Sequence, residues 1–289
     1  MALEVRMRSQ YETYIHGLNA PGSNKAASYV RALDLLAEIL RQPNPLYAAG
    51  TDFWQLRSPV EIAALYETAL RDQKRDGSIF LAHGLPRSYG ANGYYSAALK
   101  SYGEFLATRG YTQRLEERWS QVQAMDGDSV SAALAHVPFD EDEFSAELAR
   151  LQARAAEDIR RDVRTRVHQD VFRRMLIINY HGRCALTGLG LQPVLRASHI
   201  SPWSDDPENR LNPSNGILLA ATYDAAFDQH LLSFDEDGRM VLSPTLKEHH
   251  GQEAFNETFL KLEGRRLAWP QRHPPSAALL ARHREGLVG

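Results

Sequence analysis

His199, Asp224 and Asp228 are the residues around which this sequence assembles its strongest chemical pattern. His199 sits in RASHISPW, Arg196 to Trp203, after a small residue and before a β-branched one, and Pro202 ends the run. A lone histidine there is most simply a strand end facing solvent. Asp224 and Asp228 are four apart, so on a helix both carboxylates leave one face. Two like charges so placed weaken a helix unless a cation sits between them. Mg²⁺ and similar hard ions prefer carboxylate oxygens and keep several waters for a phosphate substrate. Alone, an Asp-x-x-x-Asp pair reads as solvated surface. With His199 and the Asn215, Gly216 pair in one compact unit, it reads as a candidate metal site beside an imidazole.

These residues need elements to hold them. PVLRASHI, from Pro193, reads as a strand, with Val194, Leu195, Ala197 and Ile200 supplying apolar content. SPWSDDPENRLNPS is loop by its prolines and its Asp, Asn and Ser content. A short apolar strand follows at Ile217 to Leu219, then a helix from about Thr222. Upstream, RRDVRTRVHQDVFRRM carries arginines at 160, 161, 164, 166, 173 and 174, while Val163, Val167, Val171 and Met175 fall four apart. That is a basic helix with one apolar stripe, suited to phosphate contact or simply to solubility. Arg196 on the strand and Arg210 in the loop invite the same two readings. Trp203 reads as a core lid or a base-stacking platform.

The chain of 289 residues is long enough for two units. SYVRALDLLAEILR, Ser28 to Arg41, is an amphipathic helix. A second begins at Ser58, with Pro59 at the first helical position and Glu61 completing a capping box. A third runs from about Tyr94 to Thr108. Residues 1–112 thus read as an all-helical domain, with HGLPRSYGANGYYS as a helix connection or a loop touching a phosphate backbone. Residues 113–159 read as an acidic connector, in which FDEDEF is a solvated run and helix resumes by about Glu141. Residues 160–289 form the last domain, and the fold class is α+β. The net charge of -3 is uneven: residues 113–159 hold 4 basic and 11 acidic groups, residues 160–289 hold 17 and 15. Local patches, not this sum, govern contact with phosphates. The single cysteine, Cys184, excludes an intramolecular disulfide and any zinc site with two thiolates from one chain. No run approaches the ~20 apolar residues of a membrane span, and the N-terminus lacks a secretory pattern, so the expected setting is cytoplasmic with no membrane partner.

RCALTGLGLQPVLRASHISPWSDDPENRLNPSNGILLAATYDAAFDQHLLSFDEDGRMVLS, Arg183 to Ser243, resembles the HNH nuclease family with its ββα-metal motif, in particular its restriction-endonuclease subgroup. VFRRMLIINYHGRCALTG before it and PPSAALLARHREGL near the end are similar to that subgroup too, so the likeness spans about residues 165 to 289. The N-terminal helical region resembles a module that often precedes such domains. The resemblance implies that His199 deprotonates the attacking water and that Asn215 orients the loop and the base or reaches the metal. It puts Asp224 where the family's last histidine often lies, with Asp228 one helical turn on. A carboxylate pair favours Mg²⁺ or Mn²⁺ over Zn²⁺. Ser198 stands where many members place Asp or His as a ligand. Thr187 replaces the second cysteine of a CxxC found in some relatives, so no structural zinc is expected. The implied activity is metal-dependent hydrolysis of DNA phosphodiesters in restriction or host defence, with Arg173, Arg174, Arg196 and Arg210 on the DNA and a homodimer plausible because one site cuts one strand. The competing readings are an HNH-fold nucleic-acid-binding protein without catalysis, and an interaction scaffold in which DAAFDQH is ordinary helix surface.

Overall fold

The computed structural model describes residues 2–19, 23–82, 84–138 and 153–289. FDEDEF, the helix expected from Glu141 and His83 lie outside the described residues, as do the side chains of Arg160, Arg161 and Val163. The described residues form two compact units: one holds residues up to Tyr111 together with 153–165, the other Thr112–Pro138 with Arg166–Gly289.

The first unit is helical. Helix α1 (Ala2–Gly17), α2 (Lys25–Arg41), α3 (Pro59–Asp72), the short α4 (Arg87–Ala91) and the start of α5 (Tyr94–Val122) surround an apolar core. α2 buries Val30, Leu33, Leu35, Leu36 and Leu40, the stripe that its 3.6-residue period demands. The Ser58 hydroxyl caps α3 by accepting the Glu61 backbone N–H at 3.4 Å. Aromatic rings fill the centre: Tyr102 meets Tyr11 edge-on at 5.4 Å and Trp54 edge-on at 5.8 Å. α4 lies within the Gly-, Tyr- and Arg-rich stretch, where Arg87 pairs with Asp76 at 2.7 Å. α5 does not end at Thr108, because Tyr111, Leu115 and Val122 prolong its buried stripe.

The second unit is built on an antiparallel pair, β1 (Leu195–His199) with β2 (Gly216–Ala220), in which Leu195 faces Ala220 and His199 faces Gly216. α8 (Ala221–Asp228) follows β2 directly. The predicted order of strand, loop, strand, helix is therefore observed. β2 is buried along its whole length. Covering it is α7 (Ala153–Asn179), whose Val167, Val171, Phe172, Met175 and Leu176 are all buried. A Cβ on Gly216 would lie 2.5 Å from Phe172 Cζ and 2.6 Å from Leu176 Cδ1. Gly216→Ala should therefore cost about 1–3 kcal/mol by overpacking, read as a lower denaturation midpoint; an unchanged midpoint would refute so close an approach.

Residues 113–138, expected in the connector, belong to this second unit together with Thr112. Asp126 caps α6 (Gly127–Ala135), accepting the Ser129 backbone N–H at 2.9 Å. The Ser131 hydroxyl donates to the Glu208 carbonyl at 2.5 Å, and the Asn212 amide donates to Asp128 Oδ1 at 2.8 Å. Those bonds fix α6 against the β1–β2 loop. A second pair, β3 (Leu232–Phe234) with β4 (Met240–Leu242), and short helices α9 (Pro244–Lys247), α10 (Glu253–Thr258) and α11 (Ala277–Glu285) complete the unit.

Candidate active site

β1 ends in Ser198 and His199, neighbours whose side chains take different partners. His199 does not face open solvent: its ring stacks on Phe172 at 3.8 Å and 12°, and Trp203 meets it edge-on at 5.4 Å. Its Nε2 lies 3.2 Å from the Arg210 carbonyl oxygen. A carbonyl only accepts, so the ring proton belongs on Nε2 and the neutral ring keeps its lone pair on Nδ1. Burial pushes this imidazole down to about 4, outweighing the bond to Arg210, which favours the charged form. It is neutral near pH 7 and able to accept a proton.

Ser198, one residue earlier, is buried, and its hydroxyl donates to Asp224 Oδ1 at 2.6 Å. The serine at the position where many HNH proteins place a ligand thus orients the Asp224 carboxylate. Asp228, a helical turn beyond Asp224, has its carboxyl raised above the ordinary carboxylate range by partial desolvation and by the Asp224 charge. Both aspartates, Ser198 and His199 line one pocket of about 270 Å³, together with His230 and His283.

Residues 184–235 match the family model of HNH endonucleases. The second unit thus carries an HNH domain, and its matched span includes His199, Asn215, Asp224 and Asp228. None of the curated proteins compared with the chain matches it. The helical first unit and the small strands of the HNH domain make the chain α+β. No helix among the described residues is long and apolar enough to cross a membrane.

Within the HNH domain, Asn215 is buried and its amide is taken up by loop backbone. Oδ1 accepts from Ser201 N at 2.8 Å, while Nδ2 donates to the Ser201 and Asn209 carbonyls at 3.3 and 3.1 Å. It orients the loop and carries no bond to the carboxylates. Arg173 anchors α7 to the start of the hairpin, its terminal nitrogens donating to the Leu195 and Gln192 carbonyls at 2.7 and 3.0 Å. These bonds hold it within the protein. Arg174 is exposed and paired with Glu116. Arg196 is exposed and donates to the Pro193 and Leu195 carbonyls, each at 3.0 Å. Arg210 Nε donates to the Trp203 carbonyl at 2.9 Å, and its guanidinium lies 5.2 Å from the Trp203 ring centroid. Trp203 thus closes over His199 and supports Arg210. Cys184 is buried, its sulfur accepting from the Thr187 and Ala220 backbone N–H groups.

His230 and His283 escaped the sequence reading. His283 is buried, stacks on Phe227 at 3.8 Å, and has Nε2 3.1 Å from the Phe227 carbonyl and Nδ1 2.9 Å from Ser233 Oγ. His230 Nδ1 lies 3.2 Å from the His283 carbonyl. Proximity of His230 to Asp228 in sequence was a usable signal; nothing local marks His283.

Among the described residues no group of three or more His, Cys, Asp or Glu is arranged to hold a metal ion. The donor set present, two neighbouring carboxylates, fits by type a hard divalent ion that retains most of its water. Since Ser198 fixes one of these carboxylates, Ser198→Ala should weaken Mn²⁺ binding by about 10-fold, measured by calorimetry on the folded variant; unchanged affinity would remove Ser198 from the site.

His283 shares the depressed value of about 4, set by burial and by His230. In the unfolded chain both imidazoles gain protons below ~6.5, whereas the native ones do so only near 4. Stability should therefore fall as pH drops through that window. The thermal midpoint is expected to be several degrees lower at about pH 5 than at about pH 7.5; a midpoint constant across it would show that neither ring is held neutral.

Proposed function

We propose that this chain is a metal-dependent DNA endonuclease that hydrolyses phosphodiester bonds in restriction or host defence. One observation carries the reading: a largely buried histidine, with Nε2 3.2 Å from the Arg210 carbonyl oxygen, shares a pocket with two carboxylates. His199 Nδ1 takes a proton from water as the water oxygen bonds to phosphorus and the leaving oxygen departs. The stack on Phe172 and the edge of Trp203 keep the ring aimed. Asp224, steadied by Ser198, and Asp228 would hold Mg²⁺ or Mn²⁺. Such an ion, when bound, neutralises charge on the phosphoryl and leaving oxygens. Arg174, Arg196 and Arg210 supply positive charge for the DNA backbone. Two copies, each cutting one strand, would make a double-strand break. The defence role rests on the likeness to the restriction subgroup.

A second reading, DNA binding without catalysis, is favoured by the lack of a three-ligand group among the described residues. Supercoiled plasmid, methylated and unmethylated, incubated with Mg²⁺, Mn²⁺ or EDTA separates the two. Cleavage that EDTA abolishes is expected. Binding without cutting under every condition would transfer the protein to the second reading.

A further inference from the structure

One turn beyond Phe172, which lies under His199, α7 leaves the active site and borders another concavity of the second unit. This cleft, of about 290 Å³, has apolar walls from Trp119, Met175 and Ile178, and a polar rim that includes Gln271 and Arg272. All five lie outside the matched span 184–235. Gln271 and Arg272 are exposed, and neither has a hydrogen bond or ion pair among the described residues.

Two further observations mark the cleft as more than a packing gap. His181 and His273 both line it, and both hold left-handed backbone, with φ of 52° and 47°. His181 follows the last turn of α7, where glycine or asparagine is the usual residue. His273 is held in place through Nε2, 3.0 Å from the Gln123 carbonyl, and through its own carbonyl, which accepts from the Asn179 amide at 3.4 Å. Strain of this kind persists where surroundings over-determine it, and it gathers at ligand clamps. The Trp119 indole N–H is buried and has no acceptor among the described residues. An unmet buried donor is costly, and a ligand that shifts this ring could satisfy it.

We propose that the cleft receives one nucleobase unstacked from the DNA strand on which the HNH domain acts. A flat heteroaromatic ring suits the Trp119 and Ile178 wall. Base edges present the donors and acceptors that the Gln271 amide complements, and the adjoining phosphate suits the Arg272 guanidinium. No one of these side chains selects a nucleotide. Their combination in one concavity matches its ring, edge and anion together. The inference rests on the DNA reading above.

The test begins with the full chain titrated with deoxynucleoside monophosphates, following the indole N–H resonances of its four tryptophans. Trp119→Phe identifies the resonance of the cleft. A saturable movement of that resonance is expected, with affinity weakened about 10-fold or more in Gln271→Ala/Arg272→Ala. No movement, or movement unchanged in the double variant, overturns the base site. Duplexes carrying 2-aminopurine at successive positions then separate an extrahelical base from a free nucleotide. Fluorescence should rise at one position on binding to the wild type and stay flat with the double variant. Mononucleotide binding without that rise overturns the extrahelical assignment. Failure of the DNA reading shows separately, as no mobility shift of any duplex at low salt, and the extrahelical base falls with it.

Discussion

Replacing His199 with alanine is expected to lower DNA cleavage by about 10²–10⁴-fold while DNA binding survives. The loss should follow from the missing proton acceptor and not from collapse, so the comparison needs a second variant. His199→Gln keeps a side chain between Phe172 and Trp203, and it should be as inactive as alanine. Added imidazole should restore part of the activity to His199→Ala, whose gap between those two rings admits it, and none to His199→Gln. The pH profile carries independent information. Burial holds His199 near 4, so its lone pair stays available as pH falls below the ~6.5 of an ordinary imidazole. Single-turnover cleavage at saturating metal should show no limb near 6.5 that vanishes with His199. Wild-type rates in His199→Ala would end the general-base assignment outright.

Asp228→Asn should produce effects of opposite sign on stability and on cleavage. Desolvation and the Asp224 charge both disfavour the Asp228 carboxylate, so its removal should raise the thermal midpoint measured in EDTA. The same change removes a carboxylate from the proposed donor set of the cation. Cleavage should fall by roughly 10²-fold or more, since the cation supplies several kcal/mol of charge stabilisation at the transition state. Differential scanning fluorimetry with and without Mn²⁺ checks both halves at once. Wild type should gain stability from Mn²⁺, because the ion binds only the folded chain, and the variant should gain little. Asp224→Asn/Asp228→Asn is the control with no carboxylate left. A variant destabilised in EDTA, or one that still gains from Mn²⁺ as the wild type does, would contradict the assignment of Asp228.

β1, β2 and α8 were legible because each announces itself locally: apolar content leading to His199, proline and aspartate in the loop, then an apolar run into a helix. The apolar stripe of α7 was legible for the same reason. What remained hidden depended on distance along the chain. α6 carries no mark that it bonds to the 206–215 loop, so 113–138 looked like connector. α5 looked shorter because charged residues between Tyr111 and Val122 dilute its stripe. Ser198 looked like a defect in a ligand set, since its hydroxyl gains meaning only once β1 and α8 are brought together. Arg173 read as a DNA contact, and only the fold shows the two carbonyls to which its guanidinium also donates.

The hairpin divides its end residues between two helices: Ser198 bonds Asp224 of α8, while His199 lies on Phe172 of α7. A strand paired one residue out of step exchanges its faces. A slipped β1 would therefore lose the hydroxyl that aims the carboxylate and the stack that aims the imidazole in the same event. A one-residue pairing error leaves neither half of the machinery standing. Asn215, by tying Ser201 and Asn209, acts as the latch on the correct register. For an enzyme of the proposed kind the outcome is protective: a miscarried copy is inert, and no loosely controlled cutter of DNA arises from it.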